Sequence, residues 1–187
     1  MKREYAYVDN IATPLMQEAF HIDGLSVVET DFISKINLRA DFDSASVNSA
    51  LTALTGIDAQ LDANTYVDQQ GSTLFWLGPD ERLLYTDGNP EDIATQWRAN
   101  SSCAAVEVSD YYTVLKIQGE KARDVFASGS PLDIHPKVFH TGQCAQTRFG
   151  SASVLVSMHG DMSYQLQVRW TFARYLFEYI KKVAAYV

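Results

Sequence analysis

The 187 residues predict an α+β fold in which helices lie on one face of a mostly antiparallel sheet. Three observations point to it. From residue 34 onward the chain reads as two copies of a strand, helix, hairpin, helix unit, offset by roughly 80 residues. The strands within each copy are joined by short reversals and not by long crossovers. Residues 163–170 alternate strictly, which is the mark of a strand with one buried face.

Residues 1–33 come first and read as an irregular arm. Leu15, Met16, Phe20, Leu25, Val27 and Val28 supply apolar anchors without a sustained period, and Pro14 and Gly24 interrupt them. Such a segment is expected to order against a partner and not in the chain's own core. The remainder, residues 34–187, is expected to be one domain of two pseudo-repeated lobes, 34–103 and 104–187, with no hinge-like linker between them.

In the first lobe, residues 35–40 read as a strand. Residues 44–55 read as a helix, with Val47, Ala50, Leu51 and Leu54 on one face, Asp43 or Ser44 at its start and Gly56 as its left-handed stop. Residues 74–77 and 83–85 form a hairpin around Gly78-Pro79-Asp80-Glu81. Asn89-Pro90-Glu91-Asp92 opens the next helix with a cap, a proline at the first helical position and two carboxylates at the positive end of the dipole. Ile93 and Trp97 mark its inner face.

The second lobe carries an extra leading strand. Residues 105–109 are expected to pair with residues 112–118 through a tight turn at Asp110-Tyr111. Gly119 and Gly129 bracket a short helix with Ala122, Val125 and Phe126 inward. Residues 144–149 and 153–158 read as strands, and in residues 163–170 the buried face holds Tyr164, Leu166, Val168 and Trp170. The last helix, 171 to about 186, is expected to bury Phe172, Tyr175, Leu176, Tyr179, Ile180 and Val183. Phe177 and Tyr186 fall outside that stripe, as a second packing partner would require.

Composition excludes several classes of function. A formal charge of −8 and a pI near 4.9 leave no basic surface for a phosphate backbone, so no nucleic-acid partner is expected. No apolar run approaches the ~18 residues of a membrane span, and the N-terminus lacks the apolar stretch of a signal peptide, so a cytoplasmic protein without a membrane partner is expected. Cys103 and Cys144 fit neither a disulfide framework nor a thiolate metal clip.

The stretch from Val108 to Phe149 resembles the gamma subunit of heterotetrameric sarcosine oxidase. The resemblance is carried by Ser109-Asp110, Leu115 through Gly119, Ala122-Arg123, Ser130-Pro131-Leu132-Asp133-Ile134-His135-Pro136 and Gly142-Gln143-Cys144-Ala145-Gln146-Thr147-Arg148. It extends to Leu77-Gly78-Pro79-Asp80-Glu81 and the C-terminal helix, about two thirds of the chain. The pattern from Ala104 to Ile180 is also similar, more loosely, to the N-terminal folate-binding domain of the glycine-cleavage T-protein.

The first resemblance implies a noncatalytic subunit of an oxidoreductase complex in sarcosine catabolism, with alpha, beta and delta subunits as partners. The complex would demethylate sarcosine oxidatively to glycine, with hydrogen peroxide and 5,10-methylenetetrahydrofolate as the other products. FAD, FMN, NAD and zinc would then sit on the partner subunits of this flavoenzyme complex and none on this chain. The equivalent subunit of a related complex such as N-methylglutamate dehydrogenase is the alternative, and a stand-alone folate-binding aminomethyltransferase-like protein is a third reading.

The candidate site residue is Asp133. The wider folate-binding family places an acid just after this helix, where it could hydrogen-bond a tetrahydrofolate nitrogen; the competing role is a loop cap or an interface contact. The chain departs from that family downstream, where Phe149-Gly150-Ser151-Ala152-Ser153-Val154 lacks the paired acids that follow the family's glycine turn. His135, His140, Cys144 and His159 are metal-ligand types at spacings that suit no metal motif. Neither Gly-x-Ser-x-Gly nor Gly-x-Gly-x-x-Gly occurs, so no hydrolase elbow or dinucleotide cradle is expected. No catalytic residue is assigned to this chain.

Overall fold

The computed structural model describes residues 13–69, 71–99 and 103–187. Its strands are β1 (Ala19–Ile22), β2 (Leu25–Glu29), β3 (Ser34–Arg39), β4 (Tyr66–Gln69), β5 (Ser72–Gly78), β6 (Glu81–Thr86), β7 (Ala104–Glu107), β8 (Tyr112–Gln118), β9 (Cys144–Phe149), β10 (Ala152–Gly160) and β11 (Ser163–Arg169). Its helices are α1 (Ala45–Thr55), α2 (Pro90–Arg98), α3 (Ala122–Gly129) and α4 (Ala173–Ala184).

All strand pairings are antiparallel, in two sheets: a six-stranded one ordered β1-β2-β8-β11-β10-β9 and a five-stranded one ordered β4-β5-β6-β3-β7. The α+β class is present and so is the repeated order, with three strands in place of the hairpin in each copy, β4-β5-β6 and β9-β10-β11; β4 is additional to the strands expected. Each sheet buries both faces. Ile36, Leu38, Leu74 and Leu84 meet α1 and α2 through Val47, Leu51, Ala94 and Trp97. Leu115, Ile117, Val154, Val156, Tyr164, Leu166 and Val168 meet α3 and α4 through Val125, Phe126, Leu176 and Phe177. Between the sheets, Tyr66, Phe75, Leu83 and Tyr85 pack against Val114, Cys144 and Leu155. The chain is thus four layers, helix, sheet, sheet, helix, because alternating positions of one strand serve two different cores.

The local sequence accounts for the elements. Asn89 caps α2, its side-chain oxygen accepting the N–H groups of Glu91 at 2.9 Å and Asp92 at 3.2 Å. Gly56 ends α1 at φ 74°, in the left-handed region, and its N–H bonds the Thr52 carbonyl. At the other end of α1 the Ser44 hydroxyl pairs with Ser46 at 3.0 Å and caps nothing, so the start expected of Asp43 or Ser44 is made by backbone alone.

Four expectations need correction. First, residues 13–33 are not an arm outside the core. β1 and β2 form a hairpin that extends the six-stranded sheet by pairing β2 with β8, and Leu15, Leu25 and Val27 are buried in the α3/α4 core. Residues 1–12 of the expected arm lie outside the described residues. Second, β7 does not pair with β8. It pairs with β3 in the other sheet, because the chain crosses between sheets at residues 108–111, where Ser109 Oγ accepts the Lys35 N–H at 3.0 Å.

Third, the lobes 34–103 and 104–187 are not self-contained: β2, which leads into the first, completes the sheet of the second, and β7, which leads into the second, completes the sheet of the first. Fourth, the last helix is preceded by a 3₁₀ turn, Trp170–Phe172, and its buried stripe is Ala173, Leu176, Phe177, Ile180 and Ala184. Phe177 lies inside the core, whereas Phe172 and Tyr175 face outward and Tyr179, Val183 and Trp170 are half-buried.

Candidate functional site

The loop after α3 holds most of the sequence's candidate residues. Its backbone is fixed at two points by apolar side chains, Ile134 and Phe139, which plug the α3/α4 core. Between them the loop is closed by short-range bonds. Ser130 Oγ accepts the Leu132 N–H at 3.2 Å, and the His135 carbonyl accepts Val138 N–H at 2.8 Å and Phe139 N–H at 2.9 Å. Asp133 itself is exposed, and its Oδ1 accepts the His135 N–H at 2.9 Å, an Asx turn. His135 Nδ1 accepts the Lys137 N–H at 3.2 Å.

A tetrahydrofolate nitrogen would need this carboxylate in a walled site. Here it stands on the outer surface and is already engaged with its own loop, so the residues around Asp133 do not fit that group.

The metal-ligand types are dispersed. His140 is exposed, with Nδ1 at 3.2 Å from the Thr141 carbonyl. His159 is half-buried on the Tyr66 ring, 4.7 Å between centroids, with Nε2 at 2.9 Å from Ser157 Oγ. Burial lowers the His159 pKa; the nearby Asp68 charge opposes that shift and Lys116 adds to it. Among the described residues no group of three or more His, Cys, Asp or Glu side chains is placed to hold a metal ion.

Cys144 is buried between the sheets, its thiol donating to the Thr65 carbonyl at 3.2 Å. Burial pushes its pKa up to about 12, with a smaller opposing effect of the Trp76 carbonyl contact, so at neutral pH it carries no thiolate for nucleophilic work. The Ser109 hydroxyl donates to Glu107 Oε1 at 2.9 Å and fastens the crossover between sheets.

Two features of chemical interest went unnoticed in the sequence. Lys35 on β3 is 2% exposed, yet its Nζ makes no ion pair among the described residues: it donates to the Ile33 carbonyl at 2.9 Å and lies 5.3 Å and 5.5 Å from the Phe32 and Tyr85 ring centroids. Burial lowers its pKa to about 8. Lys35, Asn37 and Arg39 alternate as a solvated face would, and only the second sheet, which covers the start of that face, makes Lys35 internal. The other feature is a set of exposed aromatic rings at the end of β11. A surface depression lined by Arg39, Asp41, Asp43, Pro79, Asp80 and Ala104 is wide open, and the Arg39 guanidinium there is paired with Asp80 at 3.0 Å and Glu81 at 2.8 Å. No helix among the described residues is long and apolar enough to cross a membrane.

Residues 39–186 match the family described as "Sarcosine oxidase, gamma subunit family". Sarcosine oxidase subunit gamma of Corynebacterium sp. (strain U-96) is 28% identical over 150 residues, covering 79% of this chain and 73% of its own length. Its namesake from Arthrobacter sp. is 26% identical over 153 residues, with the same coverage of 79% and 73%. A chain of the heterotetrameric sarcosine oxidase from Corynebacterium sp. U-96, solved with pyrrole 2-carboxylate, has a TM-score of 0.81 at 23% identity over 92% of this chain and 94% of that one. Glycine cleavage system aminomethyltransferase T from Bartonella henselae has a TM-score of 0.61 at 14% identity, covering 84% of this chain and 45% of that one. The fold is therefore similar to both, and the sequence match decides between them: this chain belongs to the sarcosine oxidase gamma subunit family.

Proposed function

We propose that the chain is the noncatalytic gamma subunit of a heterotetrameric sarcosine oxidase, an oxidoreductase complex, and that it contributes surface which holds the larger subunits in register. The complex would convert sarcosine to glycine with hydrogen peroxide and 5,10-methylenetetrahydrofolate, with FAD, FMN, NAD and zinc on the alpha, beta and delta subunits, in the cytoplasm. The observation that carries the noncatalytic part of this reading is Asp133, whose carboxylate is turned back onto the His135 N–H of its own exposed loop. The interior supports it too: side chains from both sheets, among them Tyr66, Phe75, Tyr85 and Leu155, fill the layer between them.

Asp133→Asn in the assembled complex tests the reading. Steady-state turnover of sarcosine within a few-fold of wild type is expected, whereas a loss on the order of 10²-fold with normal assembly is what an essential carboxylate would give and would return the folate role to this chain. Absorbance spectra of the purified chain complement it, with no stoichiometric flavin expected.

A further inference from the structure

A charged and aromatic ribbon runs across one end of the molecule, where the β7–β8 crossover meets the 3₁₀ turn before α4. Tyr111 is 43% exposed, Phe172 40% and Tyr175 39%. They are held together by the fold: β11 pairs Arg169 with Tyr112, the Trp170 N–H donates to the Tyr111 carbonyl at 2.9 Å, and the Arg169 guanidinium lies 5.2 Å from the Tyr111 ring centroid. The rings are also fixed in place. Tyr111 stands edge-on to Tyr112 at 4.7 Å, Phe172 edge-on to Tyr175 at 6.3 Å, and the Tyr175 hydroxyl accepts the Ser151 N–H at 2.9 Å. Rings already ordered lose little freedom on binding, and exposed Tyr, Trp, Phe and Arg are the residue types that dominate interface cores. Of the other exposed large apolar side chains among the described residues, Met16, Ile22, Val106 and Val138 sit singly on separate segments, and Tyr186 lies just past the far end of α4.

Charge indicates what covers the ribbon. Residues 104–187 carry nine Lys and Arg against seven Asp and Glu, whereas residues 1–103 carry six against sixteen. The ribbon is built from the segment of the chain with the net positive formal charge, and the Arg169 charge opposes that of Glu81 at the Tyr112 hydroxyl beside it. Arg169 and the neighbouring exposed Arg148 make no ion pair among the described residues, while Arg174 is held by Glu18 and Glu178; Asp110 is the one acid beside Tyr111 in sequence. We infer that Tyr111, Arg169, Trp170, Phe172 and Tyr175 form the docking surface for a companion subunit, which presents an apolar patch ringed by carboxylates. This rests on the companion-subunit reading above.

The test is co-expression of the full chain with its companion subunits, comparing wild type, Arg169→Glu, Arg169→Glu combined with Phe172→Ala, and Val138→Ala as a control on a separate exposed residue. The ribbon variants are expected to keep the melting transition of the isolated chain and to lose retention in the complex at least tenfold, the control to be retained as wild type, and wild-type retention to weaken as salt rises. If Phe172→Ala disturbs the melt, Arg169→Glu alone carries the comparison, because its side chain is on the surface. Retention of both ribbon variants at the wild-type level overturns the docking surface and leaves the companion role standing. Failure of wild type itself to be retained overturns both. Dimers of the isolated chain that the ribbon variants abolish would assign the surface to a second copy and overturn the inference.

Discussion

Thr113 on β8 donates its hydroxyl to Oε1 of Glu29 on β2 at 2.8 Å, a buried contact that adds a side-chain tie to the β2–β8 pairing at the point where the N-terminal turn meets the sheet. The second Glu29 oxygen accepts the Leu15 N–H at 3.1 Å, the Gln17 N–H at 3.0 Å and the Thr13 hydroxyl. Glu29→Ala takes this acceptor from the buried Thr13 and Thr113 hydroxyls and the Leu15 N–H, each at a cost of roughly 1–3 kcal/mol, whereas the exposed Gln17 N–H keeps its bond to Thr13 Oγ1 at 3.1 Å. Urea unfolding is expected to show a loss of about 3 kcal/mol or more, whereas Met16→Ala, on the exposed side of the same turn, is expected to change stability by less than about 0.5 kcal/mol. Equal effects would mean that Glu29 does not organise the turn.

Lys35 sets a pH dependence whose sign follows from burial. Its pKa falls from 10.5 to about 8 in the folded state, so between those values the unfolded chain binds more protons and stability rises with pH. Below about pH 8 the full penalty of the buried charge is present, roughly 3 kcal/mol from the size of the shift. Lys35→Met is therefore expected to be stabilising at pH 7, with a gap to wild type that narrows by pH 9.5 in urea titrations. A gap constant across that range would place the amine in water.

Gly119 and Gly24 meet backbone to backbone where the β1–β2 turn touches the end of β8. Gly119 has φ +125°, and a Cβ there would stand 2.3 Å from the Gly24 carbonyl oxygen, which also accepts the Lys121 N–H at 3.0 Å. Backbone cannot yield as a side-chain tip can. Gly119→Ala is expected to cost about 3 kcal/mol or more and to lower the melting temperature by several degrees; a neutral result would show that the turn can swing away from β8.

What the sequence made legible was local. The start of α2 could be read because Asn89, Pro90, Glu91 and Asp92 carry its cap, first turn and dipole partners within four residues. The β5–β6 reversal at Gly78 and the alternation of β11 were equally self-contained. The β1–β2 hairpin had a signal that the arm reading passed over: Asp23-Gly24 between two short apolar runs, with Gly24 at φ +74°. The α4 stripe was misread because the 3₁₀ turn winds about three residues per turn and throws Phe172 out of phase with the helix that follows. At the site, Asp133 was found at its expected place, but the return of its carboxylate to His135 is a loop geometry that spacing does not encode. The ribbon was invisible because Tyr112 and Arg169 become neighbours only through β8–β11 pairing.

The reciprocal placement of β2 and β7 predicts how the chain folds. Each lobe read from the sequence has a strand, helix, hairpin, helix order and a core of its own, so each could be supposed to fold alone. Yet a fragment of residues 104–187 would expose the β8 edge that β2 covers and lose Leu25 and Val27 from the α3/α4 core. A fragment of residues 34–103 would expose the β3 edge that β7 covers and lose Ala105 from the α1/α2 core. Both fragments would also open the layer where the Tyr85 hydroxyl meets Gln167 and where Tyr66 donates to the Met158 carbonyl at 2.7 Å. Bare edges and a halved core leave too little buried surface to offset chain entropy. Neither fragment is expected to show a cooperative thermal transition by circular dichroism, while the intact chain melts in a single one. Two independent transitions in the intact chain, or a folded 104–187 fragment, would show that the exchanged strands decorate the lobes and do not join them.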